Sequence, residues 1–158
     1  MEIRLFTKND SPKVKKLFGG SVKLLNAGED SASKIQYWTP DCTHFRDWEH
    51  RFLSDFTIVA ETDSAIVGLG QLGKSGHINL FYTHPDYRHQ GIGREIYSTI
   101  EGYAFSRELP ILFTEATQDT YGFFFNLGFE HVSKQQVLVG GREITSFVMQ
   151  KSVPDSVS

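Results

Sequence analysis

The chain has 158 residues, 39% hydrophobic and 22% charged, with 13 Phe, 6 Tyr and 2 Trp; this suits one packed core and argues against a disordered chain. A formal net charge of -3 lacks the electrostatic footprint of a general nucleic-acid binder. The lone cysteine, Cys42, excludes an internal disulfide and the Cys-rich zinc patterns, and no signal-like or membrane-length apolar run is present, so a cytoplasmic protein in a reducing compartment is expected.

Ile3 and Leu5 alternate with Glu2 and Arg4, the pattern of a half-buried strand. Asp10-Ser11-Pro12 then offers an N-cap and a first-turn proline to a helix carrying Val14, Leu17 and Phe18. Gly19-Gly20 interrupts it, Val22, Leu24 and Leu25 continue it, and Asn26-Ala27-Gly28 reads as a stop. A helix from Glu29 to Trp38, ended by Pro40, and a short one around Phe45 to Phe52 complete the first third of the chain. Trp38 and Trp48 read as core or pocket-wall residues. Phe56 to Glu61, Ala65 to Leu72 and His77 to Thr83 are apolar or alternating runs parted by the turn signals Thr62-Asp63-Ser64 and Gly73-Lys74-Ser75-Gly76, which predicts three consecutive antiparallel strands.

From Gly91 the period changes. Ile92, Ile96, Tyr97, Ile100, Tyr103 and Ala104 share one helical face, and Pro110 is the expected stop. Ile111 to Glu115 reads as a short buried strand and Asp119 to Leu127 as a helix, with Gly128 in the left-handed position after it. Phe129 to Val139 and Glu143 to Met149 read as strands around a Gly140-Gly141 turn. The sequence shows no internal repeat; one domain over residues 1–151 and a frayed tail from Ser152 to Ser158 are expected.

A strand, a turn containing Pro85, and then Arg88-x-x-Gly91-x-Gly93 opening an amphipathic helix form an anion-binding arrangement. The first helical N–H groups have no internal partners, glycine permits close backbone approach, and Arg88 and Arg94 add charge. A pyrophosphate is the natural ligand; the plainer alternative is a tight turn and nothing more. A dinucleotide-binding G-x-G-x-x-G would need one more glycine within a parallel unit, and a Walker A loop would need Gly-Lys-Ser/Thr.

The segment from Ile78 to Gly93 resembles the acetyl-CoA-dependent N-acetyltransferases of the GNAT superfamily. A second block, Phe113-Thr114-Glu115-Ala116 followed by Phe123 to Phe129, resembles that family's strand, helix and "lGF" turn. The resemblance implies an α/β (α+β) fold with a mixed, mostly antiparallel central sheet of six to seven strands flanked by helices. It implies acetyl-CoA as co-substrate, with the pyrophosphate held by Arg88, His89, Gln90, Gly91, Ile92, Gly93 and Arg94. It further implies that the pantetheine arm pairs with Phe81, Tyr82 and Thr83, and makes Asn126 a weaker contact. The Phe-Phe before Gly128-Phe129 and the later Lys134-Gln135-Gln136 narrow the likeness to small bacterial members of the YafP type. The expected acceptor is a small-molecule amine, without metal, nucleic acid or membrane; a homodimer stays open.

Neutralising a lysine-like amine of pKa about 10.4 at pH 7 costs roughly 4 to 5 kcal/mol, whereas a thiol near 8.5 leaves as thiolate for about 2 kcal/mol. A base therefore matters more than an acid. Glu115 is the first candidate base, with a surface carboxylate as the alternative; His77, Asn79 and His84 are secondary. Many family members place a tyrosine acid where this chain has Phe124. Tyr121, one turn earlier, is the candidate acid, with packing as its alternative role and Tyr82 a lesser substitute; the remaining option is that no acid is used. For a bulged strand the resemblance implies an oxyanion donor near Tyr82. Loss of the acid leaves a non-catalytic acyl-CoA sensor as the rival function.

Overall fold

The computed structural model describes residues 1–14, 50, 52–87, 90–139 and 142–154. Strand β1 (Glu2–Leu5) pairs antiparallel with β2 (Phe56–Thr62), Ile3 opposite Ala60 and Leu5 opposite Ile58. A two-residue turn joins β2 to β3 (Ala65–Leu72); both its residues, Asp63 (φ 50°) and Ser64 (φ 66°), are left-handed, the backbone that suits the twist of a tight hairpin. Strand β4 (Ile78–Thr83) completes a four-stranded sheet in the order β1-β2-β3-β4.

After β4 comes helix α1 (Ile92–Ser106), then β5 (Ile111–Ala116), helix α2 (Gln118–Asn126), β6 (Glu130–Val139) and β7 (Arg142–Ser152). The last three strands form a second antiparallel sheet in the order β5-β7-β6. The seven strands and their mostly antiparallel pairing match the expected fold, but they form two sheets rather than one continuous one. The helices expected between Gly19 and Trp48, with Trp38 and Cys42, and the Gly140-Gly141 turn lie outside the described residues; 52–54 are helical.

Helix α1 lies close on β3 because Gly68 and Gly70 leave room for Ile96 and Ile100. A Cβ on Gly68 would come 2.8 Å from Ile96 Cδ1, and one on Gly70 2.6 Å from Ile96 Cγ2. The expected apolar face is buried as drawn: Ile92, Ile96, Tyr97, Ile100 and Ala104 pack with Ile58 and Leu72 of one sheet and Leu112 and Met149 of the other. Burial of each such aliphatic side chain is worth about 1.5 to 3 kcal/mol, so this shared core holds the two sheets together.

The helix expected after Asp10-Ser11-Pro12 begins at Ser11, and a 3-10 turn from Thr7 leads into it: the Asp10 carboxylate accepts from the Thr7 amide (2.8 Å) and from both Arg4 guanidinium nitrogens at 2.8 Å. Two expectations are corrected. Helix α1 ends before Pro110 acts, because left-handed Glu108 (φ 58°) lets the Leu109 amide donate to the Ala104 carbonyl. Strand β7 continues to Ser152, opposite Ile111, and the Val153 amide donates to the Pro110 carbonyl with its side chain buried, so order extends past the expected start of the tail. At α2 the expectation holds: Gly128 (φ 101°) closes the helix, with its amide bonded to the Phe125 carbonyl and that of Phe129 to the Phe124 carbonyl.

Candidate active site

Strands β4 and β5 lie side by side in parallel but meet only where they begin. His77 and Phe113 form a parallel bridge, the Phe113 amide donates to the Gly76 carbonyl at 3.0 Å, and the Thr114 hydroxyl donates to the Ile78 carbonyl at 3.1 Å. Gly76 permits this approach: its φ is 97°, and a Cβ there would collide with the Ile111 carbonyl oxygen. The two strands belong to different sheets and are joined by this one bridge among the described residues, so a wedge opens beyond it toward Thr83 and Ala116.

The β4 edge of this wedge is the expected binding strand. The His84 amide donates to the Val67 carbonyl of β3 at 2.8 Å. Strand alternation then turns the peptide groups of Tyr82 toward Leu69, its opposite residue, and those of Phe81 and Thr83 toward the wedge. Of the three residues expected to pair with an extended ligand, Phe81 and Thr83 turn their backbone away from β3, and Tyr82 turns its toward it. The bulge lies elsewhere than near Tyr82: Gln71 sits opposite Leu80 and Leu72 opposite Ile78, leaving Asn79 as the extra residue, close to the apex.

At the mouth of the wedge a 3-10 turn over Pro85–Tyr87 leads toward α1. His84 serves this turn, its Nδ1 accepting from the Asp86 amide at 3.1 Å. Gly91 is left-handed (φ 77°), its carbonyl accepts from the Glu95 amide, and among the described residues no side chain caps the helix start. The amides of Ile92, Gly93 and Arg94 therefore head the helix without intrahelical partners. Gln90 and Arg94 are exposed, whereas the Ile92 side chain is buried, so Ile92 can contribute only backbone. A Cβ on Gly91 would meet nothing within 4 Å. These features fit a diphosphate: donors, a positive helix end and a nearby cation. Arg88 and His89 lie outside the described residues.

The two glycines differ in purpose. Gly91 supplies a backbone angle, but a Cβ on Gly93 would lie 3.2 Å from Phe123 Cζ and 3.6 Å from Phe81 Cε1. Gly93 is needed for protein packing, a signal the motif alone does not carry.

At the apex, His77 Nε2 is 2.9 Å from Glu115 Oε1 and 2.8 Å from Oε2. The imidazole lies flat on the Phe113 ring, 4.8 Å between centroids and 2° between planes. About 30% of each side chain is exposed, so solvent reaches both. The sequence named these two residues separately; the fold makes them a pair.

On α2, Phe123 and Phe124 contact Phe81 at 5.3 and 5.5 Å, and Phe124 is buried against Phe129. Tyr121 is turned from that cluster, with its ring against Phe147 of β7 (5.0 Å) and His131 of β6 (6.0 Å). These contacts agree with packing, the alternative role named for Tyr121, and the rings of α2 that meet Phe81 of β4 carry no hydroxyl. Asn126 is exposed in the last turn of α2, and no described hydrogen bond joins it to the Gly91 turn. Burial, helped by the Glu101 carboxylate, raises the Tyr97 hydroxyl well above the ordinary tyrosine range, so it stays protonated. Among the described residues no group of three His, Cys, Asp or Glu could hold a metal ion, and no helix is long and apolar enough to cross a membrane.

A family model described as "Acetyltransferase (GNAT) domain" matches residues 26–152, and the chain belongs to this family of GNAT acetyltransferases. Among solved structures, a GCN5-related N-acetyltransferase from Rhodopseudomonas palustris superposes with a TM-score of 0.81 at 24% identity, covering 96% of this chain and 94% of that one. The PaiA N-acetyltransferase from Thermoplasma acidophilum, in complex with coenzyme A, gives 0.77 at 18% identity, covering 96% and 98%. A phosphinothricin acetyltransferase from Sinorhizobium meliloti, in complex with acetyl-CoA, gives 0.77 at 16%, covering 96% and 88%. At these identities the likeness establishes the fold. No curated protein matches the chain significantly.

Proposed function

We propose that this protein transfers an acetyl group from acetyl-CoA to a primary amine of a small molecule. One observation carries the reading: a wedge between β4 and β5 whose mouth holds the uncapped start of α1 and whose apex holds a carboxylate–imidazole pair. In this reading the amides of Ile92, Gly93 and Arg94, the Arg94 side chain, Gly91 and the preceding Arg88, His89 and Gln90 hold the pyrophosphate. The pantetheine arm adds to the β4 edge at Phe81 and Thr83, beside Tyr82, as an extended ligand adds to an open sheet edge. Asn126 is a peripheral contact. Acetyl-CoA supplies an activated acyl group, and Glu115 and His77 supply proton acceptance.

A formal charge of -3 favours a free amine over nucleic acid as acceptor. One cysteine suits a cytoplasmic setting, and the shared core under both sheets supports one domain. The YafP-type likeness rests on the Phe123-Phe124 pair and Lys134-Gln135-Gln136. Buried Phe124, where an acid would stand, favours a second reading, a non-catalytic acyl-CoA sensor. The apex pair favours the enzyme.

The deciding experiment combines calorimetry of acetyl-CoA binding with thiol release across an amine panel. Gly91→Glu adds a left-handed backbone cost of about 1 to 2 kcal/mol and a negative charge beside the phosphates. Its affinity for acetyl-CoA is expected to fall about tenfold or more, since about 1.4 kcal/mol is tenfold. Unchanged affinity would remove the site; tight binding without turnover on any amine would select the sensor.

A further inference from the structure

We propose that His77, through Nδ1, is the group that accepts the acceptor amine's proton, and that Glu115 is the positioning residue that prepares it. The inference rests on the acetyl-transfer reading above and assigns roles within its apex pair. Both Glu115 oxygens lie within 2.9 Å of one ring nitrogen, Nε2. A carboxylate only accepts, so Nε2 carries the hydrogen, and a neutral ring then keeps its lone pair on Nδ1. The flat stack on Phe113 and the bridge between His77 and Phe113 hold the ring in that orientation at the closed end of the wedge. Glu115 is committed to the ring, while among the described residues the ring's hydrogen bonding runs through Nε2 alone.

The step balances. The amine nitrogen's lone pair forms the C–N bond at the thioester carbonyl carbon. The C–S bond then breaks with its electron pair on sulfur. The amine proton goes to His77 Nδ1, and the imidazolium is held against the Glu115 carboxylate. That proton passes to the thiolate or to water, which restores the neutral ring. An amine that arrives protonated first loses one proton to solvent.

The test begins with nitrogen-15 NMR of the His77 ring in the protein without ligand. The expected tautomer is Nε2–H; an Nδ1–H ring would overturn the proposal. His77→Phe keeps a flat ring on Phe113 and removes both nitrogens. Its kcat is expected to fall by roughly 10² to 10⁴, with acetyl-CoA affinity by calorimetry within about threefold of wild type. Glu115→Gln keeps an acceptor oxygen for Nε2–H and should lose only about tenfold, because the ring stays positioned. Should His77→Phe fail to fold, His77→Ala with added imidazole is the substitute, and recovered turnover is the expected result. A Glu115→Gln loss larger than that of the His77 variants, with no recovery by imidazole, would make Glu115 the proton acceptor and overturn the assignment. An active wild type with an equally active His77→Phe overturns this inference alone; a wild type inactive on every amine removes the acetyl-transfer reading, and this one with it.

Discussion

Gly93 and Phe123 are packed so that the Cβ of any other residue at 93 would fall 3.2 Å from Phe123 Cζ, tighter than ordinary van der Waals contact. The first turn of α1 is therefore seated on an aromatic ring of α2, and Phe81 of the binding strand lies 5.3 Å from that same ring. The uncapped start of α1, the exposed edge strand β4 and helix α2 are thus positioned through one contact.

Gly93→Ala is expected to shift Phe123 by a few tenths of an ångström and to weaken acetyl-CoA binding several-fold, at a stability cost of about 1 kcal/mol. Replacing Phe123 by Leu in the same chain relieves the crowding. Calorimetry on the two single variants and the double variant should show coupling of about 0.5 kcal/mol or more. Strict additivity would mean that the contact does not position the site.

The wedge apex depends on Gly76, whose positive φ and approach to the Ile111 carbonyl exclude any side chain. Gly76→Ala is expected to cost about 2 to 4 kcal/mol of stability, since left-handed strain and a backbone collision act together. It should also separate His77 from Glu115, because the bridge between β4 and β5 is anchored there. A thermal melt and a turnover assay on the same sample check both effects; a wild-type melting temperature would contradict the packing.

Asp10 links β1 to the first helical turn, and its hydrogen bonds from Arg4, partly opposed by burial, hold its carboxyl below the usual carboxylate range. A depressed folded-state value contributes stability above the unfolded value, near 3.9, and loses it as pH falls through the lower folded value. Asp10→Asn should therefore be less stable than wild type by about 2 kcal/mol at pH 7, with the gap closing only below about pH 4. Arg4 also bonds Glu61, so the guanidinium is not left alone and the loss stays at the low end for a broken pair. Urea denaturation at pH 7, 5 and 3 reads the gap directly. A constant difference across that range would refute the ion pair's role.

Tyr121 packs on Phe147 and His131 rather than on Phe81. Tyr121→Phe should accordingly leave turnover within about threefold, while Tyr121→Ala, which removes the ring, should cost about 3 kcal/mol of stability. A hundredfold loss of kcat in Tyr121→Phe, with the fold intact, would restore the hydroxyl as the proton donor to the leaving thiolate.

Most of the secondary structure could be read in advance because it is local. The apolar stripe of α1, the turns at Asp63-Ser64 and Gly128, and the Gly91 helix start each arise from residues within a few positions of one another. The apex was legible only in fragments: His77 and Glu115 were each named, yet they stand 38 positions apart and meet across two sheets. Nothing in the local pattern marks Asn79 as the bulge either, since that depends on how β3 registers against β4.

From its own residues, then, the chain determined which segments are helix or strand and that one helix starts with a bare, glycine-led turn. Folding alone decided that β4 and β5 part after a single bridge, that Gly93 serves Phe123, and that a histidine and a glutamate share a proton's worth of hydrogen bonding. The reason is range. Backbone preference and hydrophobic period act over one or two turns of chain, whereas side-chain pairing across sheets depends on register and strand order, which emerge only when the whole core packs.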